Sequence, residues 1–314
     1  LMKLLRMKAL KSIAIGVLLL TFLQLLGAWF WLCELMSHFA WWYLQLSLLF
    51  LVFFKWLNTS HRVAVIAIIL INFALIHRDF DSRSEILANE HKKNQLSLLL
   101  FNVHNSNRSV EDLVNLVGKT SPDILLFIEL IESVESELYE NIRDSYPYRS
   151  VEFHDDNYSI VMYSKLKWTK HQILKFSEYE IPWFDTKFDL HGKEITLCSV
   201  HAPPPISPYF LQLRNQLLDK ACSNKNYQNA ILVGDFNLTP YAAHFHEILE
   251  QIGWKDSRRG FGVANTWPSF LPAVLRIPID HILFRGDLVV VQRQVLGSHG
   301  SDHLPVMIKF SIKT

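Results

Sequence analysis

An uncharged apolar run near the N-terminus constrains the fold more than any other feature. Residues 12–33 (SIAIGVLLLTFLQLLGAWFWLC) contain no Asp, Glu, Lys or Arg. A helix of about 20 residues crosses the ~30 Å hydrocarbon core of a bilayer, and this run is long enough. Its aromatic end, Trp29-Phe30-Trp31, is typical of a membrane interface, whereas a cleaved signal peptide ends in small residues. The run therefore predicts a membrane-spanning helix.

Two further apolar runs follow. Residues 39–57 carry Trp41-Trp42-Tyr43 at one end and Lys55-Trp56 at the other, which suits aromatic anchors and a snorkelling lysine. Residues 62–77 are short for a span, so they form either a third crossing in a locally adjusted bilayer or a re-entrant or interfacial helix. We expect residues 1–77 to be a transmembrane region of three helices, which makes the lipid bilayer a partner of this multi-pass chain.

The basic residues of this region predict its orientation. They precede the first run and flank the loop between the second and third runs: Lys3, Arg6, Lys8, Lys11, Lys55 and Arg62. Cytoplasmic loops carry an excess of Lys and Arg, so the N-terminus is expected in the cytoplasm. Three crossings then place the C-terminal part on the non-cytoplasmic side, and the orientation inverts if the third run does not cross.

The rest of the chain has a different composition. Residues 78–95 are polar and of mixed charge, which predicts a linker, and residues 96–314 form one domain. That domain is slightly acidic, although the whole chain has a formal net charge of +1, so it lacks the global basic charge of a protein that grips long nucleic acid. Cys33, Cys198 and Cys222 have no metal-ligand spacing; we expect Cys33 and Cys198 to be buried thiols, with a Cys198–Cys222 disulfide as the alternative.

The domain pattern predicts an α+β fold. Short apolar runs of strand length recur at 96–103, 123–130, 148–153, 158–163, 186–190, 195–200, 230–236, 279–284 and 306–312. Helical spacing occurs at 109–117, 133–142, 209–222 and 242–252. Such a mixture is typical of two packed sheets with helices on their outer faces.

Polar side chains stand at the ends of these strands. They are Asn102, Glu129, His201, Asp235, Asn237, Asp280, Asp302 and His303. A carboxylate next to an apolar strand is costly unless it is paired or binds a cation, and oxygen ligands suit Mg²⁺ or Mn²⁺. Carboxylates, amides and histidines around a hard cation are the groups needed for attack of water on phosphorus.

Seven ordered motifs carry a family resemblance. They are FN (101–102), IEL (128–130), VH (200–201), GDFN (234–237), TWP (266–268), IDHIL (279–283) and GSDHLPV (300–306). From about Leu96 to the end the chain resembles the endonuclease/exonuclease/phosphatase superfamily, and its N-terminal anchor resembles bacterial membrane-bound members. The resemblance implies a DNase I-like two-sheet β-sandwich flanked by helices, preceded here by the helical transmembrane segment, and location in a bacterial inner membrane.

The resemblance also implies roles. Asn102, Glu129 and Asp302 would bind Mg²⁺ or Mn²⁺. Asp235 would activate the attacking water and Asn237 would orient it. His201 and His303 would contact phosphate oxygens, with Asp280 holding the tautomer of His303. Ile128 stands where many members have Gln, and residues 155–158 fall where members place substrate-contacting groups.

The function that follows is a membrane-anchored, metal-dependent phosphoesterase. Its substrate would be a nucleic acid, a phospholipid head group or a small phosphodiester. The alternative is a catalytically silent membrane-bound scaffold with the same fold, which should have lost a ligand, and the sequence has lost none. A transporter or channel is disfavoured because Glu34 and Lys55 lie only at the edges of the apolar runs.

Overall fold

The computed structural model describes residues 2–77, 95–224, 227–262 and 264–312. The predicted linker 78–95 therefore lies outside the described residues, except for Gln95. The described residues divide into two compact units, one made of the N-terminal helices together with residues 238–247, and the other made of the remaining described residues.

Four α-helices form the N-terminal part: α1 (Met2–Leu23), α2 (Trp31–Ser37), α3 (Ala40–Phe50) and α4 (Thr59–Ile76). The predicted single helix over 12–33 is wrong in its end, because the chain leaves α1, makes a short 3-10 turn at Gln24–Leu26 and starts α2 at Trp31. Likewise, the run 39–57 is α3 followed by a 3-10 helix over Leu51–Trp56.

Two stretches of this part are long and apolar enough to cross a membrane, Lys8–Leu26 and Thr59–Ile76. The pair formed by α2 and the helical run Ala40–Trp56 passes the same criterion only jointly, and it is bent by 60°. If that pair counts as one span, the described helices offer up to three.

Polar side chains pack inside this helical unit. Gln24 Nε2 donates to Asn72 Oδ1 at 2.8 Å, and Asn72 Nδ2 donates to Thr21 Oγ1 at 3.2 Å. All three residues are buried. In an apolar surrounding such side-chain hydrogen bonds help to hold helices together, and here they join α4 to the end of α1 and the turn that follows it.

Twelve strands form two six-stranded sheets in the second unit. The first sheet has the order β11-β12-β1-β2-β4-β3. Its strands are β1 (Gln95–Asn102), β2 (Ile124–Ile128), β3 (Tyr148–Glu152), β4 (Ile160–Ser164), β11 (Leu288–Val295) and β12 (Val306–Ile312). In its centre β1 pairs with β2 in parallel, and the other pairs are antiparallel.

The second sheet has the order β5-β6-β7-β8-β10-β9. Its strands are β5 (Trp168–Phe176), β6 (Ile181–Leu190), β7 (Lys193–His201), β8 (Asn229–Asp235), β9 (Lys255–Asp256) and β10 (Asp280–Arg285). It too has a parallel centre, β7 with β8, inside antiparallel neighbours.

The central strands β1 and β2 contain long apolar stretches because both of their faces are covered. Leu98 and Leu100 of β1 join the core between the sheets, whereas Leu99 and Phe101 pack under the outer helices. Those helices are α5 (Val110–Thr120) and α6 (Glu132–Ile142). Burial on two faces explains why such strands are continuous apolar runs in the sequence.

The remaining helices are α7 (Pro208–Cys222) and α8 (Ala243–Ile252). Local sequence explains where two of the domain helices start. Ser109 accepts from Asp112 N and caps α5, and Ser207 accepts from Phe210 N and caps α7, with Pro208 in the first turn. The predicted fold class, two sheets flanked by helices and preceded by an apolar helical segment, is confirmed.

Three strands were absent from the sequence interpretation: β5, β9 and β11. The expectation for Cys33 and Cys198 is confirmed, since both are free and buried; Cys222 is also free and buried, so the alternative Cys198–Cys222 disulfide is absent. Burial raises the pKa of the Cys222 thiol to about 12, so this thiol stays protonated.

Candidate active site at the strand ends

The topology brings the predicted polar residues to one edge of each sheet. Asn102 ends β1 and Glu129 directly follows β2, its parallel neighbour. His201 and Asp235 end the parallel pair β7 and β8 and lie opposite each other in the register. Asp280 starts β10, which runs antiparallel to β8, so it pairs with Asp235.

The backbone at this edge is unusual in three places. Gly234 has φ +154°, and a Cβ there would overlap the carbonyl oxygen of Val200 on β7, so only glycine fits before Asp235. Glu129 and Asn237 adopt left-handed φ values of 60° and 47°. Strained backbone is often found at functional sites, where the surrounding structure maintains it.

Asn102 links the carboxylates of the two sheets. Its Nδ2 donates to Glu129 Oε1 at 2.9 Å and to Asp235 Oδ2 at 3.1 Å. Its main-chain oxygen accepts from Ser301 Oγ at 2.7 Å, and Ser301 Oγ in turn accepts from His303 N at 2.9 Å. A single amide therefore joins the ends of β1, β2 and β8.

His303 and Asp280 form a buried ion pair. His303 Nδ1 lies 2.9 Å from Asp280 Oδ2. Burial alone would lower the pKa of His303, but the charge of Asp280 outweighs it and raises the pKa to about 10. Burial likewise opposes ionisation of Asp280, yet the positive charge on His303 lowers the pKa of that carboxyl. The imidazole is thus a cation at neutral pH.

Asp235 has a pKa near neutrality. Burial raises its pKa to about 7, helped by the negative charge of Asp280 and opposed by His303, whose Nε2 lies 3.7 Å from Asp235 Oδ2. Asn237 N donates to Asp235 Oδ1 at 2.9 Å. A carboxylate whose pKa is near neutrality can take a proton from water.

His201 has the opposite protonation state to His303. Its Nε2 lies 3.6 Å from Glu129 Oε1 and 4.0 Å from Asp235 Oδ2. Burial lowers the pKa of His201, although the charge of Glu129 acts in the other direction. The neutral ring can donate or accept a hydrogen bond, depending on the tautomer.

Asp302 and Asn237 complete the predicted set. Trp267 Nε1 donates to Asp302 Oδ2 at 3.0 Å. The other carboxylate oxygen of Asp302, Oδ1, is buried and accepts no hydrogen bond from the described part of the chain. Asn237 Nδ2 donates to Ala202 O at 2.9 Å, which ties the end of β8 to the residue after His201.

Two contacts were not anticipated from the sequence. The ring of Tyr158 lies 5.2 Å from the ring of His201, centroid to centroid, and the pKa of Tyr158 is raised to about 12 by burial and by the charges of Asp156 and Glu129. The buried Arg214 donates from Nη1 to Asn237 O at 3.0 Å. The family resemblance pointed at residues 155–158 without a role, and no sequence signal marked Arg214.

The donor set fits a hard cation. Carboxylate and amide oxygens of Asn102, Glu129 and Asp302 are ligands that divalent cations prefer, and the buried free oxygen of Asp302 is otherwise unsatisfied. Atoms of Asp235, Asp280 and His303 also lie within 4.8 Å of one another. A metal-binding imidazole must be neutral, however, so the charged His303 makes that second group the poorer candidate.

Residues 99–303 match the sequence profile of the Endonuclease/Exonuclease/phosphatase family. The chain belongs to this family. The match extends from β1 to His303 and so includes every predicted site residue. No curated protein matches the sequence.

Solved structures share the fold. TDP2 of D. rerio complexed with single strand DNA product is 18% identical with a TM-score of 0.59, over 70% of this chain and 100% of that chain. The endonuclease/exonuclease/phosphatase from Beutenbergia cavernae is 16% identical with a TM-score of 0.58, over 70% and 72% of the two chains. Truncated TDP2 of Caenorhabditis elegans is 16% identical with a TM-score of 0.54, over 71% and 100%.

Membership of the family supports a metal-dependent phosphoester hydrolase. Members of the family depend on divalent metals, and this chain has buried acidic and imidazole groups at the strand ends. The polar residues predicted from the sequence lie at that edge.

Proposed function

We propose that this protein is a membrane-anchored, Mg²⁺-dependent phosphoesterase that hydrolyses phosphodiesters by attack of water on phosphorus. The observation that carries the proposal is the chain of contacts at the strand ends. Asn102 bonds both Glu129 and Asp235, and Asp235 lies within 4 Å of His303 Nε2. Acid, amide and imidazole groups from both sheets thus meet in one place.

Glu129, Asn102 and Asp302 are the residues that would hold Mg²⁺, with Mn²⁺ as a substitute. When bound, such a cation neutralises charge on the phosphoryl oxygens and the leaving group. Glu129 is the principal ligand in this proposal because its carboxylate is only partly buried and Asn102 fixes one of its oxygens. Trp267 Nε1 donates to Oδ2 of Asp302, so the other carboxylate oxygen, Oδ1, would be available for the cation.

Asp235 is the general base of the proposed reaction. Its pKa near 7 lets it accept a proton from water at neutral pH, and Asn237 N holds one of its oxygens in place. The side chain of Asn237 is held at its Nδ2 by Ala202 O, so its amide oxygen would be the atom that orients the water.

The two histidines contact the phosphate in different ways. His303 is a buried cation and stabilises negative charge that develops on the phosphoryl oxygens. His201 is neutral and offers one hydrogen bond from the side of Glu129. Asp280 acts through His303, since it keeps that imidazole charged and correctly oriented.

The substrate class is a phosphodiester: a nucleic acid, a phospholipid head group or a small diester. The D. rerio TDP2 structure with single strand DNA product supports a nucleic-acid substrate at the level of the fold. The slightly acidic domain argues against long duplex DNA, which basic surfaces bind. A nearby bilayer favours lipid head groups.

The anchor is the second part of the proposal. Residues 1–77 form a transmembrane region of three helices, residues 78–95 a linker and residues 96–314 the catalytic domain. The apolar helices Lys8–Leu26 and Thr59–Ile76 and the bent pair between them support three crossings. Basic residues before the first crossing then favour a domain on the non-cytoplasmic side. The resemblance to bacterial membrane-bound members is the ground for proposing a bacterial inner membrane.

A substrate panel tests the enzyme. The full chain in detergent micelles is assayed with Mg²⁺ on single-stranded DNA, RNA, phosphatidylcholine, an inositol phosphate and bis(4-nitrophenyl) phosphate. We expect hydrolysis of at least one diester and its loss in EDTA. Glu129→Ala and His303→Ala each lose activity by about a thousandfold, because each removes charge stabilisation of the transition state.

Glu137→Ala and His77→Ala are the matched controls, since both residues are exposed and lie outside the site. They should keep the activity of the unchanged chain. Full activity in EDTA, or in either site variant, contradicts the proposal. Thermal unfolding of all variants checks that the loss is chemical and not a failure to fold.

A further inference from the structure

The segment after Asn237, residues 238–247, groups with the N-terminal helices in one compact unit, although it lies close to the end of β8 in the chain. Leu238, Thr239 and Ala242 are fully buried, and Ala242 N donates to Thr239 O at 3.2 Å. Residues 238–242 therefore form a packed turn that leads into α8.

Two kinds of contact hold this turn to the helices. Tyr241 is buried in an apolar cluster with Ala40 and Leu44 of α3 and Ile76 of α4. His38, the residue directly after α2, has its Nδ1 3.0 Å from Thr239 Oγ1. The first contact is apolar and tolerates small shifts, whereas the hydrogen bond fixes one atom of the turn.

His38 is itself positioned. Its Nε2 lies 3.4 Å from Glu34 Oε1, one helical turn earlier, and both side chains are buried. A buried carboxylate in an apolar helical unit is expensive unless it has a partner, and His38 is one such partner. The pair orients the ring so that Nδ1 faces Thr239.

The turn is connected to the proposed chemistry through the backbone. Asn237 has a left-handed φ of 47°, and Leu238 is the next residue. Asn237 also receives a hydrogen bond from Arg214 at its main-chain oxygen, the atom of the peptide that leads into Leu238. Restraining Thr239 two residues later limits the freedom of that peptide.

We propose that His38 is a positioning residue for the active site: by holding Thr239, the N-terminal helices fix the turn that follows Asn237. The helices would then contribute to catalysis besides anchoring the chain. The catalytic consequence rests on the proposed phosphoesterase function, whereas the restraint on the turn does not.

Hydrogen–deuterium exchange of the full chain in detergent micelles tests the restraint without any assay of activity. In His38→Ala and in Thr239→Val, the amides of Leu238, Thr239, Tyr241 and Ala242 should exchange about tenfold faster, because one buried hydrogen bond is lost. The double variant should be no faster than either single variant, since both remove the same contact. His77→Ala, an exposed histidine of the same unit, is the control.

Conservative variants separate positioning from simple packing. Asparagine can place a polar atom where Nδ1 lies, whereas glutamine reaches toward Nε2 and the side of Glu34. His38→Asn should therefore restore slow exchange and His38→Gln should not. On bis(4-nitrophenyl) phosphate, kcat should fall about tenfold in His38→Ala and His38→Gln while KM stays within about twofold, since only the geometry of Asn237 has changed.

Unchanged exchange of residues 238–242 in His38→Ala overturns the proposal, and so does equal behaviour of the Asn and Gln variants. Faster exchange with unchanged kcat overturns its catalytic part. If the unchanged chain hydrolyses no diester, the phosphoesterase function fails, and the exchange data alone still decide whether His38 holds the turn.

Discussion

Two buried histidines at the same sheet edges differ in charge. His303, in the loop before β12, has its Nδ1 2.9 Å from Asp280 Oδ2 and a raised pKa. His201, at the end of β7, has Glu129 no nearer than 3.6 Å and a lowered pKa. Their side chains are almost equally exposed, at 6% and 5%.

Burial therefore does not decide the charge of a histidine here; the partner does. A carboxylate in direct hydrogen-bond contact overcomes the cost of desolvating the imidazolium, and one at a longer distance does not. The difference gives the site one fixed positive charge and one neutral hydrogen-bonding group.

The largest effect should follow from Asp280→Asn. This substitution keeps the shape of the side chain but removes the charge that raises the pKa of His303, so the imidazole becomes neutral near pH 7. We expect kcat to fall about a thousandfold, since a fixed charge at the transition state is lost.

Steady-state kinetics with Mg²⁺ measure the loss in Asp280→Asn. Asp287→Asn is the control, because Asp287 is exposed and its carboxylate lies 3.6 Å from Lys193 Nζ, outside the site. A kcat within about threefold of the unchanged chain in Asp280→Asn would mean that the charge on His303 does not serve the reaction.

The pH dependence should come next in size. In the proposed mechanism Asp235 acts as a base and must be ionised, so activity should be lost as the pH falls below its pKa of about 7. The ionised fraction drops about fiftyfold between pH 7 and pH 5, and kcat/KM should follow it. His303 remains protonated over this range because its pKa is raised to about 10.

A profile of log kcat/KM from pH 5 to pH 9 at constant ionic strength checks this prediction. A bound divalent cation favours the ionised carboxylate and moves the acidic limb to lower pH without changing its direction. A rate that rises as the pH falls from 7 to 5 would contradict the role of Asp235.

The neutral histidine should matter less than the charged one. His201→Gln can keep a hydrogen-bonding atom near Nε2, and no charge is lost. We expect kcat to fall about tenfold, against about a hundredfold in His201→Ala, where the hydrogen bond and the contact with Tyr158 both disappear. Equal losses in His201→Gln and Asp280→Asn would remove the distinction between the two histidines.

His171, a half-buried histidine remote from the site in sequence, shows the effect of burial on stability. In His171 of β5, Nε2 lies 2.6 Å from Ser150 Oγ and Nδ1 lies 2.9 Å from Thr186 Oγ1. Burial lowers the pKa of this imidazole. The pKa of His171 in the folded protein lies below the ordinary 6.5. Neutral His171 therefore contributes stability above pH 6.5, and this contribution is lost as the pH falls below 6.5 towards the folded pKa.

Thermal unfolding at pH 7.5 and pH 5.5 measures this smallest effect. His171→Gln keeps polar contacts but does not titrate, so its midpoint should depend less on pH than that of the unchanged chain. Identical pH dependence of the two proteins would show that His171 does not contribute.

Much of the fold followed from local pattern. Continuous apolar runs such as 230–236 predicted strands buried on two faces, and β8 covers nearly the same residues. An exposed strand such as β5 was missed because few of its positions need an apolar side chain. β5 (Trp168–Phe176) lies at the edge of its sheet and has no fully buried residue, so its sequence shows no apolar alternation.

In the N-terminal helical region, the sequence did not predict where the helices end. The run 12–33 is uniformly apolar, so hydropathy could not locate where α1 ends and α2 begins. Gly27 lies in that break, but one glycine in an apolar run is a weak signal. Arg214 was missed for a similar reason, because a buried arginine in a helix looks like a surface residue until its partners are known.

The sequence by itself determined which chemistry is available: acidic, amide and imidazole groups at the ends of buried strands, and helices apolar enough for a bilayer. Only the tertiary structure decided which of those groups are charged and which are neutral. Whether an imidazole is charged depends on distances of a few ångströms to carboxylates from strands far apart in the chain, and electrostatic energy at such distances is set by the three-dimensional arrangement.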